Sequence, residues 1–302
     1  MFLLRHLHRK QINTKQWDDC ISGACNGLIY AKSYYLDAMA ENWDAIIVGD
    51  YDAVMPIPWK KKYGIAYVYP PPFLQQLGLF YKVGFIDLDM DEILQLFRSK
   101  FRFGEYYFNY SNHIKTTYTR KNFIIDLAQP YLRISAIFKA DLKRDLKKAV
   151  LNNLQYGKTE DYTKAIQLFK TLYGQRFPNV SRDDYKRLLN VSATLNEKGE
   201  CLIREVKDNS GNLLSFSLCL IDHRRIYYLL STTTPEGKTK LANHFLIDNL
   251  LREFSSRELF FDFEGSDISG IAHFFKSFGV VDQPYYFYRW NALPWPLKLF
   301  KK

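Results

Sequence analysis

Cysteine is scarce in this sequence and follows no pattern typical of a disulfide framework or a metal site. The four cysteines are widely spaced, with no Cys-x-x-Cys pair: Cys20, Cys25, Cys201 and Cys219. A cysteine-based zinc site would also need suitably spaced histidines, and these cysteines have none. The pattern therefore predicts reduced thiols in a cytoplasmic protein, with no metal centre.

Long apolar runs are missing as well. No stretch approaches the roughly 18 apolar residues that a membrane-spanning helix needs. Charge interrupts the first ten residues at Arg5, so they lack the apolar core of a signal peptide. We therefore expect neither a transmembrane helix nor a secretory leader.

Three sets of familiar motifs are also absent. The sequence contains no Walker loop, no paired-glycine dinucleotide motif, and no Ser-His-Asp grouping in the context of a nucleophile elbow. These absences argue against a P-loop nucleotide hydrolase, a Rossmann-type dehydrogenase and a serine hydrolase.

Positive charge and aromatic residues are abundant. The formal net charge is +10, and aromatic residues make up 17% of the 302-residue chain. Such a charge favours an anionic partner (a phosphate, a nucleotide, a tRNA or an acidic membrane), although it also serves solubility. The aromatic content indicates extended sheets and aromatic-lined clefts, and a core large enough for two domains.

Periodicity gives the same order of elements in both halves of the chain: helices, three consecutive strands, a helix and a strand. We expect an α/β (α+β) fold of two tandem domains, each a mixed, mostly antiparallel, splayed sheet flanked by helices. The boundary is placed at Gln129-Pro130, which gives domains at residues 1–130 and 131–290. Residues 291–302 form a basic, aromatic tail that we expect to pack on the first domain or to touch an anionic membrane.

Several helices have recognisable start signals or continuous helical patterns. Asp89 is expected to cap one helix, and Ser181 with Asp184 to open another. Residues 134–154 and 237–256 are each predicted to form one continuous helix.

Residues 260–279 combine an aromatic strand with an acidic turn and a short helix. Because side chains alternate along a strand, Asp262 and Glu264 are expected on one face, opposite Phe261 and Phe263. The end of such a strand points into the substrate crevice of an α/β sheet. Lys276, on the following helix, would return over the same crevice.

The order of elements is that of the GNAT acyltransferase superfamily, and the second half resembles the Fem-type peptidyltransferases. These are tandem GNAT enzymes that add amino acids from aminoacyl-tRNA to a cell-wall precursor. The resemblance rests on residues 142–149, 226–231, 242–247, 261–265 and 275–279. Two features differ from the family: no coiled-coil arm is visible between residues 150 and 200, and Glu264 stands where the family has glycine.

The resemblance implies roles for individual residues. Lys276 would stabilise the oxyanion formed when an amine attacks an ester, and a cation in an apolar pocket suits that role. Asp262 would hold or deprotonate the incoming ammonium group, or simply cap the turn; Glu264 has the same alternatives. Substrate-binding positions are Phe275, Gly237, Lys238, Asn243 and Tyr228.

Lys143, Arg144 and Lys147 give the helix that opens the second half a basic face. This face would attract the phosphates of a donor or of a nucleotide-linked precursor, although a solvated helix surface explains it as well. Near residues 232–239, Gly237 fits the phosphate loop of acyl-CoA-binding relatives, but Thr234 and Thr239 do not.

Together these features predict transfer of an acyl or aminoacyl group to an amine, in a peptidoglycan-related reaction if the resemblance extends to the substrate. The donor is acyl-CoA or aminoacyl-tRNA, acting as a substrate, and no bound cofactor is expected. The alternative is a non-catalytic basic module that binds nucleic acid or a nucleotide-linked polymer. The identity of the acceptor and the oligomeric state are left open.

Overall fold

The structure is a computed structural model that describes residues 3–84, 89–115, 118–295 and 298. The chain divides into two compact units. Unit 1 contains Met1–Arg120 and Pro284–Lys302, and unit 2 contains Lys121–Gln283. The first division falls ten residues before the boundary expected at Gln129-Pro130.

The strands, in chain order, are β1 Leu4–His8, β2 Asn42–Val48, β3 Ala53–Lys62, β4 Ile65–Val68, β5 Phe80–Tyr81, β6 Phe103–Phe108, β7 Tyr118–Arg120, β8 Phe123–Asp126, β9 Gln155–Thr159, β10 Cys201–Lys207, β11 Leu213–Ile221, β12 Arg225–Thr233, β13 Phe260–Asp262, β14 Val281–Asp282 and β15 Tyr285–Asn291. The helices are α1 Thr14–Gly23, α2 Ser33–Met39, α3 Met90–Lys100, α4 Tyr131–Ala136, α5 Ala140–Leu151, α6 Tyr162–Tyr173, α7 Arg182–Glu197, α8 Pro235–Thr239, α9 Ala242–Phe254 and α10 Ser269–Lys276.

The sheet of unit 1 has the strand order β1-β2-β3-β4-β6-β15-β7, with β5 paired to β3. Strands β4 and β6 are parallel and pair at a single position, Val68 with Gly104. Strand β15 lies antiparallel to β6 although it follows unit 2 in the chain. The sequence predicted that this strand belongs to the second domain. Backbone hydrogen bonds do not depend on side-chain identity, so the sequence does not show which sheet a strand joins.

The sheet of unit 2 has the order β14-β8-β13-β12-β11-β10-β9. Strands β10, β11 and β12 form an antiparallel meander. Strand β13 is parallel to β12 and antiparallel to β8. Both units therefore share one plan, and the predicted fold class of two mixed sheets flanked by helices is confirmed.

The predicted helix starts are confirmed, but both long helices are interrupted. Asp89 accepts a hydrogen bond at the start of α3, and Ser181 forms a capping box with Asp184 at the start of α7. The segment 134–154 is interrupted between the end of α4 at Ala136 and the start of α5 at Ala140, where the buried Phe138 packs against Phe278 with ring centroids 5.4 Å apart. The segment 237–256 breaks at Leu241, whose φ of +58° is incompatible with a continuous helix.

The described part of the C-terminal tail is in contact with unit 1. The N–H of Ala292 donates to the carbonyl of Arg102 at 2.6 Å, while Trp295 is exposed. Residues 296, 297 and 299–302, on which the membrane-contact prediction also rests, lie outside the described residues. None of the helices found in the described ranges is long and apolar enough to cross a bilayer.

A buried ion pair joins the two parallel strands of unit 2. Asp262 on β13 is 1% exposed and pairs with the guanidinium of Arg225 on β12, which is 4% exposed. The Asn122 side chain donates to Asp262 Oδ2 at 3.2 Å, and the N–H of Glu264 donates to Oδ1 at 2.8 Å. The carboxylate of Asp262 therefore has partners on β12, just before β8 and just after β13, at the point where β12 and β13 stop pairing.

A second charged cluster fixes α9 to the opposite end of the sheet. Arg204 on β10 makes two hydrogen bonds of 2.8 Å to the two oxygens of Glu253. Tyr156 donates to Glu253 at 2.6 Å, and Lys158 lies 2.9 Å from it. Burial raises the pKa of Glu253, but hydrogen bonds from Arg204, Tyr156 and Lys158 outweigh it and lower the pKa to about 2.

Replacing Asp262 with asparagine is expected to destabilise the protein by about 3 kcal/mol, because it leaves the buried Arg225 charge without its counter-ion. Asp282→Asn is the matched control, since that carboxylate is 63% exposed and its loss should cost less than about 0.5 kcal/mol. Urea midpoints of both variants test this. Equal midpoints would show that the Arg225–Asp262 pair does not hold the strands together.

Glu253 predicts a pH dependence of stability. Its folded pKa lies below its ordinary value of 4.5, so its contribution is complete above pH 4.5 and is lost as the pH falls towards 2. Glu253→Gln should lower the free energy of unfolding at pH 7 by about 3 kcal/mol and flatten the acid limb of the profile. Thermal melts from pH 7 to pH 3 measure this, with the exposed Glu258→Gln as control. Parallel profiles for wild type and Glu253→Gln would contradict it.

Candidate active site

The candidate site lies where the parallel strands of unit 2 separate. Strands β12 and β13 are paired from Arg225 opposite Phe260 to Tyr227 opposite Asp262. Beyond this point β13 ends, while β12 continues to Thr233. A cavity of about 410 Å³ lies beside this opening, between α6, α10 and the segment that follows β13.

Most of the cavity wall is apolar and aromatic. Helix α6 and the turn after it supply Phe169, Tyr173 and Phe177, and α10 supplies Phe274 and Phe275. Phe275 is buried, and its ring centroid lies 4.8 Å from that of Phe263. A wall of this kind suits an apolar group and lowers the effective dielectric around any charge inside it.

Glu264 is the acidic group in the cavity wall. Its φ of +61°, followed by +56° at Gly265, reverses the backbone just after β13. A Cβ at position 265 would lie 2.0 Å from the carbonyl oxygen of Lys121, so glycine is required there. Burial raises the pKa of Glu264 to about 8, which places its proton exchange close to neutral pH.

The positive φ at Glu264 also corrects one sequence expectation. Asp262 and Glu264 were expected to share a face, because side chains alternate along a strand. The strand ends at Asp262, however, and the backbone turns at Glu264. Asp262 binds Arg225 in the core, whereas Glu264 lines the cavity, so the two carboxylates have different surroundings.

Three polar side chains cluster in another part of the wall. The hydroxyl oxygen of Tyr228 lies 2.7 Å from Ser231 Oγ and 2.9 Å from Asn243 Oδ1, and Ser231 Oγ lies 3.0 Å from the same amide oxygen. Burial raises the pKa of Tyr228, which is therefore a neutral hydroxyl at pH 7. Tyr228 and Ser231 come from β12 and Asn243 from α9, so two of the stretches that carry the family resemblance meet here.

Two cations lie beside the ring of Tyr173. The guanidinium of Arg176 is 4.8 Å from the ring centroid, and the ammonium of Lys238 is 5.7 Å from it. Both residues line the cavity. A second hollow of about 250 Å³ shares Tyr173, Lys238 and Asn243 with the first and extends to Gly237. The two hollows therefore form one continuous basic and aromatic surface.

Gly237 has a packing role in this geometry. A Cβ there would lie 2.1 Å from the carbonyl oxygen of Leu214, so no larger residue fits. The N–H of Gly237 donates to Thr234 Oγ1 at 3.0 Å, as a helix-capping contact. The N–H of Gly237 is thus already used within the turn, and the substrate-binding role predicted for Gly237 stays a prediction.

Lys276 lies at the end of α10 and is not one of the residues that line the cavity. Its Nζ is 3.4 Å from Asp282 Oδ2 and 5.3 Å from the ring centroid of Phe123, and its side chain is 43% exposed. The oxyanion role implied by the resemblance is untested by this geometry and stays a prediction.

The basic residues of α5 also lie outside the cavity wall. Lys143 is exposed and donates to the carbonyl of Ala136 at 2.7 Å, while Arg144 lies 3.5 Å from Asp145. Lys147 is exposed. These residues form a solvated helix surface whose affinity for a phosphate-bearing ligand is still a prediction.

The structure thus brings together Phe275, Tyr228, Asn243, Lys238 and Glu264, and leaves Asp262, Lys276 and the α5 cations elsewhere. Sequence reasoning missed Tyr173, Arg176 and Phe177. These residues lie where α6 ends at Tyr173 and a short 3₁₀ turn follows. Gly174 was the available signal, since glycine commonly marks a helix end.

Comparison with protein-family models gave no match, and neither did comparison with curated protein sequences. Solved structures do match over nearly the whole chain. FemX aligns over 98% of this chain and 99% of its own, with a TM-score of 0.66 and 14% identity.

Two further structures share the fold. The C-terminal domain of a putative lysylphosphatidylglycerol synthetase from Agrobacterium fabrum aligns over 97% of this chain and 95% of its own, with a TM-score of 0.54 and 9% identity. L-PGS from Bacillus licheniformis aligns over 95% and 93%, with a TM-score of 0.52 and 11% identity. At these identities the likeness establishes the fold alone, and the chain shares with FemX the fold that its sequence predicted.

Proposed function

We propose that unit 2 transfers an acyl or aminoacyl group from an activated donor to an amine acceptor. The observation that carries this proposal is the cavity of about 410 Å³ where β12 and β13 separate, with Glu264 in its wall. The Fem-like fold supports the reaction class, and the cavity supplies a site for it within a single unit.

The reaction needs a proton acceptor. The amine nitrogen attacks the carbonyl carbon of an ester or thioester, a C–N bond forms, and the C–O or C–S bond breaks. The neutral attacking amine must lose one proton as the amide forms, and Glu264 is suited to accept that proton and pass it to the leaving group because its pKa of about 8 lies close to neutral pH. The leaving alcohol or thiol takes a proton as it departs, so charge balances over the cycle.

The donor is held by complementary chemistry. The aromatic wall accommodates the acyl or aminoacyl side chain, while Arg176 and Lys238 provide positive charge for a donor phosphate. The Tyr228–Ser231–Asn243 cluster offers hydrogen bonds that orient the carbonyl or the amine. Holding both reactants in one cavity supplies much of the rate enhancement, because it removes the entropy cost of bringing them together. These features fit acyl-CoA and aminoacyl-tRNA equally.

Glu264→Gln tests the proton acceptor. The variant should lower kcat/KM at least about 100-fold, because glutamine cannot accept the amine proton. The wild-type rate should rise with pH up to about 8 and then level off, since the active form is the carboxylate. Mass-spectrometric detection of amide product, with panels of aminoacyl-tRNAs, acyl-CoAs and amines, provides the assay. The exposed Glu258→Gln is the control.

A second readout does not depend on knowing the substrate. The folded pKa of Glu264 lies above its ordinary value of 4.5, because burial disfavours the charged carboxylate. The fold therefore has its full stability below pH 4.5, where the carboxyl group is neutral, and loses stability as the pH rises through 8. Glu264→Gln should therefore be more stable than wild type at pH 8, by at least about 1.4 kcal/mol.

If no panel member reacts and polyanions bind in a salt-sensitive way, the protein is a basic binding module and the transfer proposal fails.

Lys276→Met tests the oxyanion role separately. If Nζ leaves Asp282 to contact the reacting carbonyl, its removal should lower kcat about 100-fold with little change in KM. Lys186→Met, on α7, is the matched control, because Lys186 is also an exposed lysine paired with an exposed carboxylate, Asp183. An unchanged kcat for Lys276→Met would remove that role and leave the cavity and Glu264 as the basis of the mechanism.

A further inference from the structure

A cluster of two histidines and one aspartate lies in unit 1, on the neighbouring strands β1 and β2. His6 and His8 are two positions apart on β1, so their side chains share one face of the strand. Asp44 on β2 is the direct cross-strand partner of His8. Cross-strand partners also share a face, so the register places all three side chains together.

Their ligand atoms converge on a single point. Asp44 Oδ2 lies 3.2 Å from His6 Nε2 and 3.0 Å from His8 Nδ1. The three atoms all lie within 4.8 Å of one another. Ligand atoms on one tetrahedral zinc ion, with bonds of about 2.1 Å, are about 3.4 Å apart. Small side-chain adjustments would therefore admit the ion.

The contacts within the cluster are incomplete without a further group. Two imidazole nitrogens face the same carboxylate oxygen. His6 Nε2 is closed to solvent and lies 3.2 Å from Asp44 Oδ2, a distance that suits an ion pair when the imidazole is protonated but lacks the geometry of a good hydrogen bond. A buried ring nitrogen in this condition is costly, and a metal ion would satisfy it together with the carboxylate.

Two of the three ligand side chains are buried, and the third is exposed to solvent. The side chains of Asp44 and His6 are 7% and 10% exposed, whereas that of His8 is 70% exposed. The His6 ring also packs edge-on against Phe101, with centroids 6.4 Å apart, which limits its rotation. An ion could therefore enter from the side of His8, and a water molecule could complete its coordination.

We propose that His6, His8 and Asp44 form a binding site for Zn²⁺, a cysteine-free ligand set that the prediction of no metal centre, drawn from the cysteines, did not consider. Two imidazoles and one carboxylate suit zinc and related late transition metals better than magnesium or calcium, which prefer oxygen ligands. Strand β1 is an edge strand of its sheet, so a bound ion would link it to β2 through ligands from both strands. Zinc binding then stabilises unit 1, because the unfolded chain does not hold the three ligands together.

The test is zinc titration of the full chain, prepared without an affinity tag and freed of metal by a chelator. Isothermal titration calorimetry should give one saturable site per chain. His8→Gln should weaken zinc binding at least about 10-fold, and this variant should fold because His8 is exposed. His223→Gln, an exposed histidine in unit 2, should bind zinc as the wild type does.

A second measurement connects binding to stability. Zinc should raise the melting temperature of wild type and of His223→Gln, and should leave that of His8→Gln nearly unchanged. Cobalt in place of zinc should give the visible absorption of a four-coordinate ion, and His8→Gln should lose it. The proposal is overturned if wild type shows no saturable zinc binding, or if His8→Gln binds zinc as tightly as wild type.

Discussion

The pairing of β12 with β13 is the constraint on which the organisation of unit 2 depends. The two strands run parallel for three residue pairs and are tied by the buried Arg225–Asp262 ion pair. Past this point their backbones are no longer paired, and the cavity lies at the opening. A buried pair at this position fixes where the strands separate, and hence where a substrate could reach the polar groups of β12 and α9.

The surroundings of the acidic residues illustrate how environment assigns roles to similar groups. Asp262 is held in the core by a guanidinium, a side-chain amide and a backbone N–H. Glu264, two residues later, lies in an apolar wall where burial raises its pKa to about 8. One carboxylate is thereby suited to hold the sheet together and the other to exchange a proton.

Unit 1 repeats the strand plan of unit 2. Its parallel pair, β4 and β6, meets only at Val68 and Gly104, where a side chain at Gly104 would collide with Trp290. The last strand, β15, completes this sheet from the far end of the chain. The chain therefore cannot be cut into two consecutive halves without removing a strand from unit 1.

The sequence by itself determined the element order, the fold class and several cavity residues, because hydrophobic period, capping residues and short motifs are local properties. It identified Tyr228, Asn243, Lys238, Phe275 and Glu264 as site candidates, and the structure brings them to one wall. Only the tertiary structure decided that Asp262 pairs with Arg225, that Lys276 lies beside Asp282, and that β15 joins the first sheet. Those outcomes depend on contacts between distant segments and on backbone hydrogen bonds, which carry no local signature in the chain.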